Sequence, residues 1–274
     1  MKRTLLLCMA VCMMLTGFAQ NDSTGKQQND TIKVGGMIII RKKGANNHDN
    51  ENTQVTINRR NDGKQSNVST NWWIVDLGFS NYNDQTNYNS AAAQAFAPGI
   101  TEDNLQLRSG KSRNVNIWVF MQRLNIIKHV VNLKYGMGLE LNNYYFDDTR
   151  VRFSKNPTMI NLATEELKKA KLAADYLTIP LMINFNFTPD RKRGFGFSAG
   201  VSGGYLYSAR FKTKQSGDIN KVKNDFDLKR WKLSYVGELS LGPVRLYGSY
   251  AMDNMWDKGL DMTPYTVGFR LSNW

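Results

Sequence analysis

Few residues in this sequence have the chemistry that enzymatic catalysis needs. A hydrolase or acyltransferase requires a base, most often a histidine, beside a serine or a carboxylate. The two histidines are His48, in a stretch rich in Asn, Asp and Lys, and His129, in a short predicted turn. Neither a flexible polar stretch nor a turn of this kind is where such a base is expected. We therefore predict that the protein is not an enzyme and that it binds no cofactor and no metal ion.

A second set of ionisable groups consists of acids and bases that alternate with apolar residues along predicted strands. If the strands close into a barrel, these side chains point into a narrow lumen, where charges are tolerated only when they are paired and hydrogen-bonded. Five bases face three acids there, so some arginine must bond to Asn or Tyr, to water near a mouth, or to an anion. The predicted lumen network comprises Asp76, Lys134, Glu140, Arg210, Lys232, Glu238, Arg245 and Arg270.

The elements that must position these charges are β-strands. In residues 176–188 the odd-numbered positions are Leu, Ile or Phe, whereas the even-numbered positions are mostly polar. A period of two is the signature of a strand, and about ten residues are enough for one barrel strand to cross a membrane. The same alternation predicts eight strands, at 71–82, 114–122, 131–146, 176–188, 194–211, 231–241, 244–250 and 265–274.

The connections between these strands alternate between short and long. The short ones are 123–129, 189–193 and 242–243, and the long ones are 83–113, 147–175, 212–230 and 252–264. Outer-membrane barrels have tight periplasmic turns at one end and extracellular loops at the other. The fold class predicted is therefore all-β, an eight-stranded antiparallel transmembrane β-barrel over residues 71–274. In the second long loop, residues 163–174 predict a short amphipathic helix.

Aromatic residues are concentrated at both ends of the predicted strands, as in the aromatic belts of membrane proteins. The loop-end group is Tyr144, Tyr145, Tyr176, Tyr205, Tyr207, Trp231, Tyr250 and Tyr265. The turn-end group is Trp72, Trp73, Phe185, Phe187, Phe195 and Trp274. We interpret the two groups as girdles at the two membrane interfaces.

The N-terminus has the features of a secretory signal. Lys2 and Arg3 precede an apolar run at 5–15, and Gly17-Phe18-Ala19 suits cleavage before Gln20, which defines a signal peptide of residues 1–19. Both cysteines lie within it, so the mature chain has none. Residues 20–70 predict a flexible polar periplasmic leader, interrupted by β-prone pieces at 32–40 and 55–57 that could form a marginal hairpin or a partner-binding arm.

Taken together, the signal, the alternating strands, the run YLTIPLMINFNF at 176–187 and the closing strand PYTVGFRLSNW at 264–274 resemble the small outer-membrane β-barrel family, PorT-like porin-family proteins of Gram-negative bacteria. The resemblance implies a monomer in the outer membrane, inserted by the barrel-assembly machinery, which reads an aromatic C-terminal strand. The corresponding residues are Tyr265, Val267, Phe269, Leu271 and Trp274. Trp274 shares the phase of Arg270, so either a bulge shifts the register near its end or the signal is weaker than usual.

Three functions are compatible with this sequence. The first is a non-enzymatic structural or binding role, through the extracellular loops or through a periplasmic protein partner of residues 20–70. The others are a narrow ion or small-solute channel and an accessory component of a protein secretion system. With a net charge of +13, the exported chain is expected to meet anionic lipid or lipopolysaccharide and not nucleic acid. Lysines in the third loop could contact lipopolysaccharide phosphates or remain solvated: Lys212, Lys214, Lys221, Lys223 and Lys229.

Overall fold

The computed structural model describes residues 30–34, 37–41, 56–59, 66–191, 194–215 and 218–272. The chain divides into two units, Met1–Lys64 and Gln65–Trp274. The described part of the first unit is an antiparallel sheet of three strands, β1 (Asp30–Val34), β2 (Met37–Arg41) and β3 (Thr56–Arg59). The β-prone pieces of the leader overlap these strands. The predicted signal peptide lies outside the described residues.

The described part of the second unit contains eleven strands and two short helices. In chain order they are β4 (Val68–Asp84), α1 (Ala91–Phe96), α2 (Glu102–Leu105), β5 (Arg113–Ile127), β6 (Val131–Tyr145), β7 (Val151–Phe153), β8 (Ile160–Leu162), β9 (Lys169–Asn186), β10 (Phe195–Gln215), β11 (Asp218–Lys223), β12 (Trp231–Leu241), β13 (Val244–Ala251) and β14 (Met262–Leu271).

Eight of these strands form a closed antiparallel ring in the order β4-β5-β6-β9-β10-β12-β13-β14, with β14 paired to β4. Apart from the closing pair of β14 and β4, neighbouring strands in the ring are consecutive among the eight, as expected for strands joined by hairpins. Closure gives every ring strand two partners and so leaves no open sheet edge in the ring. The predicted eight-stranded antiparallel barrel is confirmed.

Strands β9 and β10 run further toward the loop end than the alternating pattern indicated. They stay paired as far as Lys169 and Lys214, and β11 folds back onto β10. The predicted helix at 163–174 is therefore wrong, because its second half is the beginning of β9. Leu172 and its alternate neighbours Ala170 and Ala174 are buried, and the period of two there was hidden by a run of small, helix-favouring residues.

The barrel is apolar outside and polar inside. Outward residues such as Ile179, Val267 and Phe269 are each 55% exposed, whereas inward Asp76 and Glu238 are 0% and 3% exposed. This is the reverse of a soluble protein, in which charged side chains are rarely buried and large apolar patches are rarely exposed.

Local irregularities change the facing of several residues. The pairing of β5 with β6 shifts between Trp118 and Phe120, so that Phe120 stands beside the exposed Trp72 and Met121 is fully buried. Strict alternation over 114–122 predicts Phe120 inward and Met121 outward, and this prediction is wrong. On the facing strand Trp73 has a φ of 56°, in the left-handed region, and both Trp72 and Trp73 are exposed at the turn end.

The four long loops pack together over the barrel mouth, and we call their shared apolar core the cap. Its members come from every loop and from the loop ends of the strands: Phe96, Ala97, Ile100, Leu105, Tyr144, Phe146, Val151, Phe153, Ile160, Ala170, Leu172, Ala174, Tyr176, Leu206, Ala209, Phe211, Phe226, Leu228, Met255, Trp256, Leu260 and Met262. Phe153, on β7, lies at its centre, with its ring centroid within 6 Å of those of Phe146, Phe211, Phe226 and Trp256.

The described ranges contain two short helices, and neither could span a membrane.

Candidate functional site

Two layers of charged residues lie in the lumen, and we call the layer nearer the turn end the lower layer. The lower layer is an ionic cluster of four charged residues from four strands. Arg270 binds Asp76 through two hydrogen bonds, Nε to Oδ1 at 2.7 Å and Nη2 to Oδ2 at 2.8 Å, and also pairs with Glu238. Lys134 donates to Glu238 Oε2 at 2.5 Å. Trp118 Nε1 donates to Asp76 Oδ2 at 2.7 Å. Two acids therefore balance two bases, and bidentate geometry is the strong form of such pairing.

The upper layer is built around Glu140. Its carboxylate pairs with Lys232 and accepts from Asn142 Nδ2 at 3.0 Å and from Thr178 Oγ1 at 3.3 Å. The Lys232 ammonium also lies 4.7 Å from the centroid of the Tyr176 ring, in cation–π geometry. Both charges of this pair are therefore satisfied within the barrel.

Asparagines join the two layers into one network. Asn114 Nδ2 donates to Asn116 Oδ1 and to Asn142 Oδ1, each at 2.9 Å, and Asn116 Nδ2 donates to Asp76 Oδ2 at 3.2 Å. The Tyr247 hydroxyl completes the chain by donating to Asn114 Oδ1. To do so it passes over Gly78, where a Cβ atom would collide with the Tyr247 hydroxyl. The alternation along 114–122 and 131–146 places Asn116 and Asn142 on the inward face, but it predicts no hydrogen-bond partners for them.

Arg210 does not belong to the lumen network, and its predicted place there is wrong. The pairing of β10 with β9 shifts between Leu206 and Ser208, which moves every later residue of β10 to the other face. Arg210 therefore projects outward and pairs with Asp175, Nη2 to Oδ2 at 2.6 Å. Asp175 lies in the predicted long connection 147–175, where the alternation assigns no facing, so the sequence does not predict this pair.

Arg245 lies at the turn end of the lumen, below the lower layer. It is 8% exposed and donates to the Ser272 hydroxyl at 2.5 Å. It forms part of the wall of a cavity of about 670 Å³ that reaches the turns at His129 and Asp190. We call this cavity the vestibule, and its charged wall residues are Arg123, Lys134, Asp190, Arg191, Glu238 and Arg245.

A small cavity lies above the vestibule. Between the two ionic layers, a cavity of about 30 Å³ is bordered by Trp118, Glu140, Tyr247 and Arg270. That volume holds about one or two water molecules. Above it, the cap covers the mouth at the loop end. Within the described ranges, no group of three or more His, Cys, Asp or Glu side chains is placed to hold a metal ion.

The last strand, β14, presents its predicted outward residues to the surroundings. Val267, Phe269 and Leu271 are 55–60% exposed, and Tyr265 is 37% exposed. Trp274 lies outside the described residues. Of the predicted loop-end girdle, Tyr205, Tyr207, Trp231, Tyr250 and Tyr265 are exposed.

Tyr144 and Tyr176, also predicted for that girdle, are 2% and 3% exposed and belong to the cap. Both positions have the inward phase of their strands, Tyr144 with Asn142 and Tyr176 with Thr178. Their prediction as girdle residues is therefore wrong, because it was based on how far along the strand each residue lies and not on whether the side chain faces outward.

A closed eight-stranded ring with an apolar outer band, aromatic residues at both margins and a polar, ion-paired interior defines a transmembrane β-barrel. Residues 64–252 match a family model described as outer membrane protein beta-barrel domain. The chain belongs to this family and is an outer-membrane protein. No curated protein matches the chain. In such barrels the short turns face the periplasm, so we assign the vestibule to the periplasmic side and the cap to the cell surface.

Proposed function

We propose that this barrel is a non-enzymatic, non-conducting binding protein that acts from its periplasmic side. The observation that carries the proposal is the asymmetry of the lumen. About 670 Å³ is available in the vestibule, and about 30 Å³ between the ionic layers. A solute entering from the periplasm would meet Lys134 and Glu238 at the inner end of the vestibule, and beyond them the hydrogen-bonded network and the cap.

The charge of the vestibule suggests the kind of ligand. Four bases and two acids line it, and one of the acids, Glu238, is already bonded to Lys134 and Arg270. Side-chain amides and hydroxyls from Asn184, Asn186 and Ser69 add hydrogen-bonding groups. A polar, basic, half-open cavity suits a carboxylate-rich segment better than an apolar small molecule. We propose that the ligand is an acidic segment of a periplasmic protein. We further propose that the three-stranded sheet of the leader contacts the same periplasmic protein.

The closed lumen predicts the result of an electrical measurement. Purified full-length protein reconstituted in planar bilayers should show no stable conductance, because buried ion pairs and a packed cap leave no continuous path for water. Boiled protein serves as the blank, and a known porin serves as the positive control. Steady single-channel steps with anion selectivity, removed by changing Arg245, would instead show that the barrel is a narrow channel.

The basic vestibule predicts selective binding of acidic peptide. A fluorescent ten-residue Glu-rich peptide should bind the detergent-solubilised barrel, and its Gln-rich counterpart should not. The R123Q/R245Q variant should bind the Glu-rich peptide at least tenfold more weakly, because each substitution removes a cation from the vestibule wall. R113Q, an exposed arginine at the loop end, is the matched control.

Unaltered heat-modifiability of each variant on gels would show that it remains folded. Equal binding of the acidic peptide by the wild type and by R123Q/R245Q would contradict a vestibule site. Equal binding of the two peptides would contradict a preference for carboxylates.

A further inference from the structure

The outer wall of the barrel carries a group of cations on the loop-end extensions of β9 and β10 and on β11. We call it the basic wall, and it consists of Lys169, Lys171, Arg210, Lys212, Lys214, Lys221 and Lys223. These positions alternate with Leu172 and Phe211, which point inward and belong to the cap. The basic side chains therefore lie on the outer face, away from the lumen and the vestibule.

The strand register sets these cations directly against each other. Lys212 on β10 lies opposite Lys171 on β9 and opposite Lys221 on β11. Lys214 lies opposite Lys169 in the next row. Directly opposed residues have Cβ atoms about 4.5–5.5 Å apart, and like charges at this spacing destabilise a sheet. An anion that bridges two such rows is expected to stabilise the folded barrel.

The acids near the basic wall do not neutralise it. Asp175 pairs with Arg210, and Glu165 accepts a hydrogen bond from the Gln215 side chain at 3.3 Å. Asp218 lies opposite Gln215 at the far end of the β10–β11 hairpin. The wall therefore keeps a positive charge.

Lys171 is the most enclosed of these cations. It is 8% exposed, donates to Asn143 Oδ1 at 2.6 Å and has its ammonium 5.1 Å from the centroid of the Tyr145 ring. Burial, and then the neighbouring cations Lys169, Lys212 and Arg210, lower its pKa to about 8. An anion bound beside Lys171 would offset the repulsion and favour its charged form.

The height of the basic wall indicates where such an anion would come from. Tyr205 and Tyr207 are exposed on β10 and mark the upper margin of the apolar band. Lys212 follows Tyr207 by five residues, about 15 Å along a strand and less in height, because barrel strands are tilted by about 35–45°. A layer just beyond the aromatic girdle is the headgroup region of the outer leaflet.

We propose that the basic wall binds the phosphate groups of an outer-leaflet glycolipid of the lipid A type. Lys171 and Lys212 lie at the centre of the site, with Lys221 on one side and Arg210 below. The acyl chains of the same molecule would lie on the apolar band beneath, against Leu177 and Ile179 of β9. A phosphorylated lipid would contact both the basic wall and the apolar band, whereas a soluble phosphate would contact the basic wall alone.

The test uses the full-length protein in detergent and native mass spectrometry. Three probes are compared: bisphosphorylated lipid A, the same lipid with both phosphates removed, and inorganic phosphate. We expect the wild type to retain bisphosphorylated lipid A at least tenfold more strongly than either other probe, and K171Q/K212Q to lose that advantage. K111Q/K155Q removes the same charge from exposed positions in other loops and should behave as the wild type. Retention should weaken with rising salt.

Misfolding can be separated from loss of binding. Because K171Q/K212Q relieves repulsion between like charges, its heat-modifiability should be unchanged or improved while lipid retention falls. Equal retention of the dephosphorylated lipid would overturn the phosphate site, and equal retention of inorganic phosphate would overturn the lipid as its source. Equal retention by K171Q/K212Q and the wild type would overturn the location.

Discussion

Substitution of Glu238 by alanine is expected to lower the free energy of unfolding by about 3–5 kcal/mol, the usual cost of removing one partner from a buried ion pair. Glu238 is 3% exposed and holds two cations, Lys134 and Arg270. Arg270 keeps its bidentate contact with Asp76 after the change, but Lys134, which is itself 3% exposed, loses the carboxylate to which it donates. The measurement is urea unfolding in lipid vesicles, with heat-modifiability on gels as a second readout.

A double variant identifies the source of the loss of stability. In E238L/K134M both charges are replaced by apolar groups, and such replacements of a buried pair are often close to neutral. We therefore expect the double variant to be more stable than E238A. Glu165 is exposed in the second loop, and E165A should change stability by less than about 0.5 kcal/mol. A loss for E238A as small as that for E165A would show that the lumen pairs contribute little.

Substitution of Phe153 by alanine is expected to destabilise the cap by about 3–5 kcal/mol, which is typical for truncation of a buried phenylalanine. Phe153 is 5% exposed and its ring contacts rings from β10 and from two other long loops. Because the eight ring strands do not depend on this side chain for their hydrogen bonds, local opening of the loops should precede barrel unfolding.

Trypsin treatment of intact cells measures that opening. Cleavage near Arg150 and Arg152 should become faster by a factor on the order of 100 or more in F153A, since opening free energies convert to rates at about 1.4 kcal/mol per factor of ten. Ile219 is an apolar residue of the same end that is 67% exposed, and I219A is the matched control. Equally rapid cleavage of wild type and F153A would mean that the loops are not held by this core. Cleavage only after permeabilisation of the outer membrane would invert the assigned orientation.

The architecture of the barrel could be predicted from the order of the residues alone. Alternation with a period of two is a local property of each strand, so β12 was predicted with its observed bounds and the other seven strands to within a few residues at most ends. The same phase identified Asp76, Lys134, Glu140, Lys232, Glu238, Arg245 and Arg270 as inward. An inward charge in a narrow barrel requires a partner, and this condition could be stated before any partner was known.

Which charged partners meet, and which residues depart from the alternation, depends on the pairing of neighbouring strands in the folded barrel. One extra residue between Leu206 and Ser208 turns Arg210 outward, and a shift near Val119 exchanges the facing of Phe120 and Met121. Such bulges depend on the neighbouring strand, so the strand that contains them carries no reliable signal of its own. The pairing of Arg210 with Asp175 follows from the same register.

The cap likewise required the assembled fold. Phe96, Phe153, Phe226 and Trp256 come from four separate loops. Their burial depends on contacts between segments far apart in the chain, which have no periodicity to reveal them. For the same reason residues 163–174 read as a helix: local propensity favoured it, and the hydrogen bonds that β6 and β10 offer to β9 outweighed that preference.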